Sequence, residues 1–176
     1  MNRKTILYIA QSLNGKIAQP DGDVEWLNAI SNPDKLDFGY ADFYNSVDTT
    51  IQGYSTYNQV LNWGIEFPYK GKQNYVFTNK TKNETENVIF VSENHVDFVK
   101  NLKSGKGKNI WIIGGGKMNT FLLNKNLIDE IMVFIMPIVL SGGIELFELT
   151  PKETILELLN TEKYSNGVVK LHYKIK

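Results

Sequence analysis

The sequence predicts an α/β domain whose mainly parallel sheet gains antiparallel strands at its C-terminal end. Three observations predict it. Apolar, β-branched runs alternate with segments of helical spacing through most of the chain; the final third is strand-rich; and its last two strands flank the turn Ser165-Asn166-Gly167, the mark of a hairpin. At 176 residues the chain reads as one domain, 1–176, large enough to bury a core without disulfides or a structural metal.

Residues 4–10, KTILYIA, read as a buried strand, and NGKIAQPDGDVEWL after it has turn residues where a loop belongs. From Asn32-Pro33-Asp34 onward, Leu36, Tyr40, Phe43, Tyr44 and Val47 recur at helical spacing, with Asn32 or Asp34 as cap. TTIQG is then a short strand and YSTYNQVLN a short helix. NYVFT (74–78) and NVIFV (87–91), rich in β-branched and aromatic residues, are strands. HVDFVKNLKSG is a helix stopped by Gly105. IWII opens a strand that three glycines join to the helix KMNTFLL. IDEIMVFIMPIVL is a strand interrupted at Pro137, and ILELLNTEKY and VVKLHYKIK form the hairpin. The count is about eight strands and four helices.

Composition excludes several classes. With no cysteine, thiol nucleophiles, iron-sulfur ligation and cysteine-built zinc sites are ruled out, and a reducing, cytoplasmic setting fits. Lys plus Arg and Asp plus Glu both number 19, so no net positive field draws the chain to nucleic acid or anionic lipid. The N-terminal apolar run is broken by Gln11 and Ser12, too soon for a signal peptide, and no segment approaches a membrane span. His95 and His172 lack metal-ligand spacing; His172 alternates with Lys170 and Lys174 on what reads as a solvated strand face. No G-x-S-x-G elbow is present.

The glycine triplet Gly114-Gly115-Gly116 is the strongest chemical signal. Backbone amides at a helix start are unpaired within the helix and lie at the positive end of its dipole, so an anion there is hydrogen-bonded and electrostatically favoured. Glycine lets a ligand approach without a Cβ clash. The alternative is a tight turn with no ligand. The triplet is neither a Rossmann fingerprint, since Asn119 stands where the third glycine belongs, nor a Walker loop, since Lys117 is followed by Met118. Four further stretches accompany it: SLNGKIAQPDGDVEWL, GYSTYNQV, VFTNK and VLSGG. In the second, Ser55 or Thr56 either caps a helix or binds a phosphate oxygen.

Taken in order, YIAQSLNGKIA with a later WL, TTIQGYSTY, NYVFTNK, IWIIGGGKMNTFLL and LIDEIMVFIMPIVLSGGIELF resemble the dihydrofolate reductase-like superfamily. The resemblance is closer to the branch containing the C-terminal reductase domain of riboflavin-biosynthesis deaminase/reductases. It implies a mixed, mainly parallel eight-stranded sheet flanked by four helices, and NADPH across the C-terminal strand ends, with NADH as the alternative. By that resemblance Ile113, Gly114, Gly115, Gly116, Lys117 and Met118 hold the pyrophosphate, and Gly53, Ser55 and Thr56 take its other side. Thr78, Asn79 and Lys80 meet the adenosine end, and Ala10 and Ile17 the nicotinamide. A small heterocyclic substrate, pterin-like or a riboflavin-precursor pyrimidine, lies near Gln11, Asn14, Trp26, Tyr57 and Leu140. The catalytic acid falls on Asp37 when counted back from Gly53, and on Gly39 when aligned on Phe43.

Two features depart from that pattern. Tyr54 stands where the superfamily often has an arginine that grips the 2′-phosphate, with Lys80 as a substitute. The zinc-ligated deaminase half is missing. The expected function is therefore a stand-alone NAD(P)H-dependent reductase, cytoplasmic, with small-molecule but no nucleic-acid or membrane partner. The rival is a non-catalytic nucleotide-binding or sensing domain. A homodimer is a further expectation, for which the apolar IMVFIMPIV run offers an interface.

Overall fold

The computed structural model describes residues 3–148 and 150–176. Eight strands form one sheet in the order β5-β4-β3-β6-β1-β7-β10-β9. They are β1 (Thr5–Ser12), β3 (Val47–Gly53), β4 (Gln73–Phe77), β5 (Ile89–Val91), β6 (Asn109–Gly114), β7 (Glu130–Met136), β9 (Leu156–Lys163) and β10 (Val169–Ile175). Every pairing from β5 across to β7 is parallel, and only β10 with its neighbours β7 and β9 is antiparallel. The parallel strands read as continuous apolar runs because helices cover both faces. A separate two-stranded sheet pairs β2 (Lys16–Ala18) with β8 (Ile144–Glu145). The loop expected over 14–27 thus contains a strand, and also a 3-10 turn at Glu25–Ala29.

Alternation along the strands sends successive side chains to opposite faces. Leu7, Ile51, Ile110 and Ile112, all fully buried, meet Val99 of α3 (His95–Ser104) and Leu122 of α4 (Gly116–Asn124) on one face. On the other, Ile6, Val76 and Trp111 meet Phe43 of α1 (Tyr40–Ser46) and Tyr57 and Val60 of α2 (Tyr54–Leu61). Each such large aliphatic side chain contributes roughly 1.5–3 kcal/mol by leaving water. A third cluster gathers Trp26, Phe134, Met136, Leu140 and Val168 near the end of β7.

The helix expected from residues 32–34 starts later. Asn32 closes a loop on Leu36, donating to its carbonyl (2.8 Å) and accepting from its amide (2.9 Å). Lys35, Phe38 and Gly39 then adopt positive φ (50°, 55° and 77°), which no right-handed helix accommodates. Only from Tyr40 does α1 run, and Val47 already belongs to β3. Tertiary packing overrides the periodicity here: Tyr164 Oη donates to the Phe38 carbonyl, and Asn166 to that of Ser31, tying the loop to the hairpin.

The hairpin forms as expected, with β9 and β10 joined through Gly167 in the left-handed region (φ 87°). β7 lies inside the sheet between β1 and β10, and most of its apolar residues belong to the core. Exposed apolar side chains collect on and beside the edge strand β9, at Ile155, Leu158 and Leu159. His172 is half-buried and not solvated as expected: its Nε2 lies 2.9 Å from a carboxylate oxygen of buried Glu130, which also accepts from Lys4.

Candidate functional site

The six parallel strands end along one rim. β3 and β6 are neighbours there, with Gln52 paired to Gly114. β3 leads into α2 on one face of the sheet, and β6 leads into α4 on the other. This is the switch point of an open α/β sheet, where a crevice opens because the chain departs in opposite directions from adjacent strands. Both helices begin on glycine caps, Gly53 and Gly115, and neither has a side-chain cap hydrogen bond. Their first-turn amides and positive dipole ends therefore remain available to an anion.

A Cβ on Gly53 would sit 3.8 Å from the Gly114 carbonyl and 4.0 Å from both the Gly115 amide and Met118 Cβ. One on Gly115 would sit 3.3 Å from Thr56 Oγ1. Gly53, Thr56, Gly114, Gly115 and Met118, drawn from two motifs more than fifty residues apart in sequence, are thus brought into one contact group. Gly116 has a different reason for lacking a side chain. A Cβ there would meet the Glu145 carbonyl at 2.2 Å and Glu148 Cγ at 2.8 Å, so the residue is shaped by the 145–148 segment lying against α4. Lys117 is exposed in the first turn of α4.

On the β4 side, Gly53 is paired with Phe77, and Thr78 follows. The Thr78 hydroxyl is engaged within its own turn, accepting from the Lys80 amide (3.2 Å), while Asn79 and Lys80 are exposed. On the other side β1 ends beside β6, carrying half-buried Ala10 and Gln11. The ends of β1, β6, β3 and β4 together span about 14 Å at ordinary strand spacing. Half-buried Ile113 is in β6, and Ile17 is in β2.

Several expected substrate residues have structural partners. Asn14 brackets Leu140, donating to its carbonyl (2.8 Å) and accepting from its amide (3.1 Å), which ties the β1 end to the 137–143 loop. Leu140 in turn packs with Trp26. Tyr57 points into the core against Phe67 and Phe90. Asp37 is exposed, and its carboxylate accepts from the amides of Gly39 (2.9 Å) and Ala41 (3.2 Å). Those two hydrogen bonds hold its carboxyl below the ordinary value, so near neutral pH it caps α1 as an anion and carries no proton. Neither Ser55 nor Thr56 caps α2.

Sequence reasoning missed two buried amides. Gln52 is fully buried, and neither its Oε1 nor its Nε2 has a hydrogen-bond partner among the described residues. Asn119, also fully buried, donates to the Leu146 carbonyl (2.9 Å), but its Oδ1 is unpartnered. That oxygen lies 3.8 Å from where a Cβ on Gly114 would stand. An unsatisfied buried polar group costs about 1–3 kcal/mol. The available signal was a polar residue inside each of the runs TTIQG and KMNTFLL. Uncapped amides, glycines gathered at the switch point and orphaned buried polar atoms fit a bound nucleotide with both anionic and hydrogen-bonding parts.

A family model described as the RibD C-terminal domain matches residues 3–170. Two Bacillus subtilis (strain 168) proteins align over almost the whole chain. The uncharacterized protein YwjB is 42% identical over 174 residues, covering 98% of this chain and 98% of that protein. The uncharacterized protein YyaP is 34% identical over 186 residues, covering 97% and 94%. Among solved structures, a putative riboflavin biosynthesis protein from Shewanella sp. PV-4 superposes with a TM-score of 0.88 at 29% identity, covering 100% of this chain and 99% of that one. A Thermotoga maritima diaminohydroxyphosphoribosylaminopyrimidine deaminase/5-amino-6-(5-phosphoribosylamino)uracil reductase superposes at 0.72 with 18% identity. It shares the fold, over 99% of this chain and 57% of its own.

Proposed function

The chain belongs to the RibD C-terminal domain family, and from that premise we propose that it is a nicotinamide-dependent reductase of a small heterocyclic substrate. The observation that carries the reading is the β3–β6 crevice, where two uncapped helix starts face each other across glycines. When bound, NADPH or NADH supplies the hydride. Gly53, Thr56, Gly115 and the first turn of α4 would hold its pyrophosphate by backbone amides and one hydroxyl. Ala10, Ile17 and Ile113 would form the nicotinamide wall, and Asn119, whose Oδ1 is unpartnered near Gly114, would offer an acceptor.

The substrate rests against Trp26 and Leu140, whose apolar surfaces exclude water from the reacting face. Trp26 Nε1, buried and unpartnered among the described residues, donates to it. Asn14 acts indirectly, by fixing Leu140. The chain's own task is orientation. Because Asp37 is anionic and engaged with α1, the proton required after hydride transfer comes from water.

Titration with NADPH and with NADH, followed by nicotinamide fluorescence, tests the cofactor reading; saturable binding of at least one is expected, and binding of neither refutes it. A panel of pterins and aminopyrimidines then tests turnover. The capped state of Asp37 favours one competing reading, a nucleotide-sensing domain, for which cofactor would bind and no panel member would accelerate its oxidation.

A further inference from the structure

A hollow of about 510 Å³ lies outside the crevice on the flank of α2, lined by Tyr54, Tyr57, Asn58, Lys82, Thr85 and Phe90 among others. Tyr54 is the first residue of α2, directly after the Gly53 cap, so the hollow adjoins the crevice at its adenosine side. Lys82 arrives from the loop after β4 and holds its ammonium 4.3 Å from the centroid of the Tyr54 ring. It is half-buried, whereas Lys80 is exposed. Among the described residues Lys82 forms no ion pair, whereas half-buried Lys16, Lys103 and Lys170 each do. Hydrogen bonds from Lys82 and Asn58 to the phenol hold Tyr54 below its ordinary value, consistent with local positive charge.

The geometry points to Lys82, seated on the Tyr54 ring, as the cation of a phosphomonoester subsite at the mouth of this hollow. The inference rests on the reductase reading and names its specificity determinant. The ammonium is fixed over the ring by a cation–π contact. It carries three N–H donors with which a dianion can be met. Tyr54 is thereby a platform for a lysine supplied by another loop, and the positive charge that tyrosine itself lacks is restored at the same place. Asn58 and the Tyr54 hydroxyl add neutral hydrogen bonds. The aromatic floor of Tyr57 and Phe90 suits a flat base or an apolar stem and repels no anion, there being no carboxylate in the lining.

A phosphomonoester there has two sources, the 2′-phosphate of NADPH or the ribosyl 5′-phosphate of a substrate; position beside Gly53 favours the first. The test measures dissociation constants of NADPH and NADH for the wild-type chain, Lys82→Gln, Lys80→Gln and Tyr54→Phe, by fluorescence and calorimetry at low and high salt. A parallel arm titrates ribose 5-phosphate against enzyme preloaded with NADH. Wild type is expected to prefer NADPH, and Lys82→Gln to bring the ratio of the two affinities toward one by weakening NADPH roughly ten- to hundredfold. Lys80→Gln is expected to change that ratio less than about threefold, and added salt to weaken NADPH more than NADH. If the ratio is untouched but Lys82→Gln abolishes ribose 5-phosphate binding, the subsite stands with the substrate as its source. If Lys82→Gln alters neither, the inference is overturned while the cofactor reading survives. Failure of both nucleotides to bind wild type overturns both.

Discussion

Replacing Gly116 by alanine should destabilise the protein without acting on nucleotide binding first. The new Cβ would lie 2.2 Å from the Glu145 carbonyl, more than an ångström inside ordinary contact. That carbonyl belongs to β8, which pairs with β2, so it cannot withdraw without disturbing the small sheet. Overpacking of this kind costs about 1–3 kcal/mol, and a rigid backbone obstacle places it at the upper end. Alanine recovers up to about 1 kcal/mol in helix propensity. A net loss of about 2 kcal/mol corresponds to a melting temperature lower by roughly 4–8 °C in a domain of this size. Gly53→Ala is the paired control. Its Cβ would meet nothing nearer than 3.8 Å, and the small loss in capping is offset by the reduced freedom of the unfolded chain. Its melting temperature should stay within about 2 °C of wild type while nucleotide affinity falls tenfold or more. Differential scanning calorimetry and the fluorescence titration, run on both variants, decide the matter. A Gly116→Ala protein that melts like wild type but binds nucleotide poorly would refute the division of labour within the triplet.

Asp37→Asn should preserve stability, because asparagine caps as well as aspartate, and should change turnover of any panel substrate less than twofold; a loss of tenfold or more would restore Asp37 as the acid. Arg3→Leu should cost about 1–3 kcal/mol in urea denaturation. Arg3 is buried and donates to the Lys108 carbonyl and Thr49 Oγ1 (both 2.6 Å), which would lose their donor, while its ion-pair partner Asp48 is partly exposed and keeps the Lys108 amide. An Arg3→Leu midpoint equal to wild type would contradict this account. Glu130 gives a pH signature. Burial works to raise its carboxyl, but hydrogen bonds from Lys4 and His172 prevail and hold it below the ordinary value of 4.5. A lowered folded value means its stabilisation is fully present above about 4.5 and is lost as pH falls through the folded value. Glu130→Gln should therefore flatten the acid limb of a melting-temperature profile, and an unchanged limb would count against the assignment.

How much was legible in the sequence follows from which interactions are local. Periodicity of two and of 3.6, the hairpin turn and the glycine stop after α3 are short-range signals, and the strands, α2, α3, α4 and the sheet's parallel-then-antiparallel character follow from them. Order among the five motifs was enough to indicate a family. No helix forms over 32–39 because Asn32 closes on Leu36 and Tyr164 and Asn166 bind the segment from the hairpin, whose side chains are invisible to a local window. Strand adjacency was beyond reach for the same reason: β6 inserts between β1 and β3, so the crevice joins Gly53 to Gly114 across sixty residues. The sequence by itself determined that the glycines stand where strands become helices. Only the tertiary structure decided that Gly53, Gly114 and Gly115 meet at the switch point while Gly116 yields its space to Glu145. It also decided that the Asp37 carboxylate accepts from the Gly39 and Ala41 amides and that the Lys82 ammonium sits over the Tyr54 ring. Each of these depends on which distant backbone or side chain fills the space beside the residue, and packing alone fixes that.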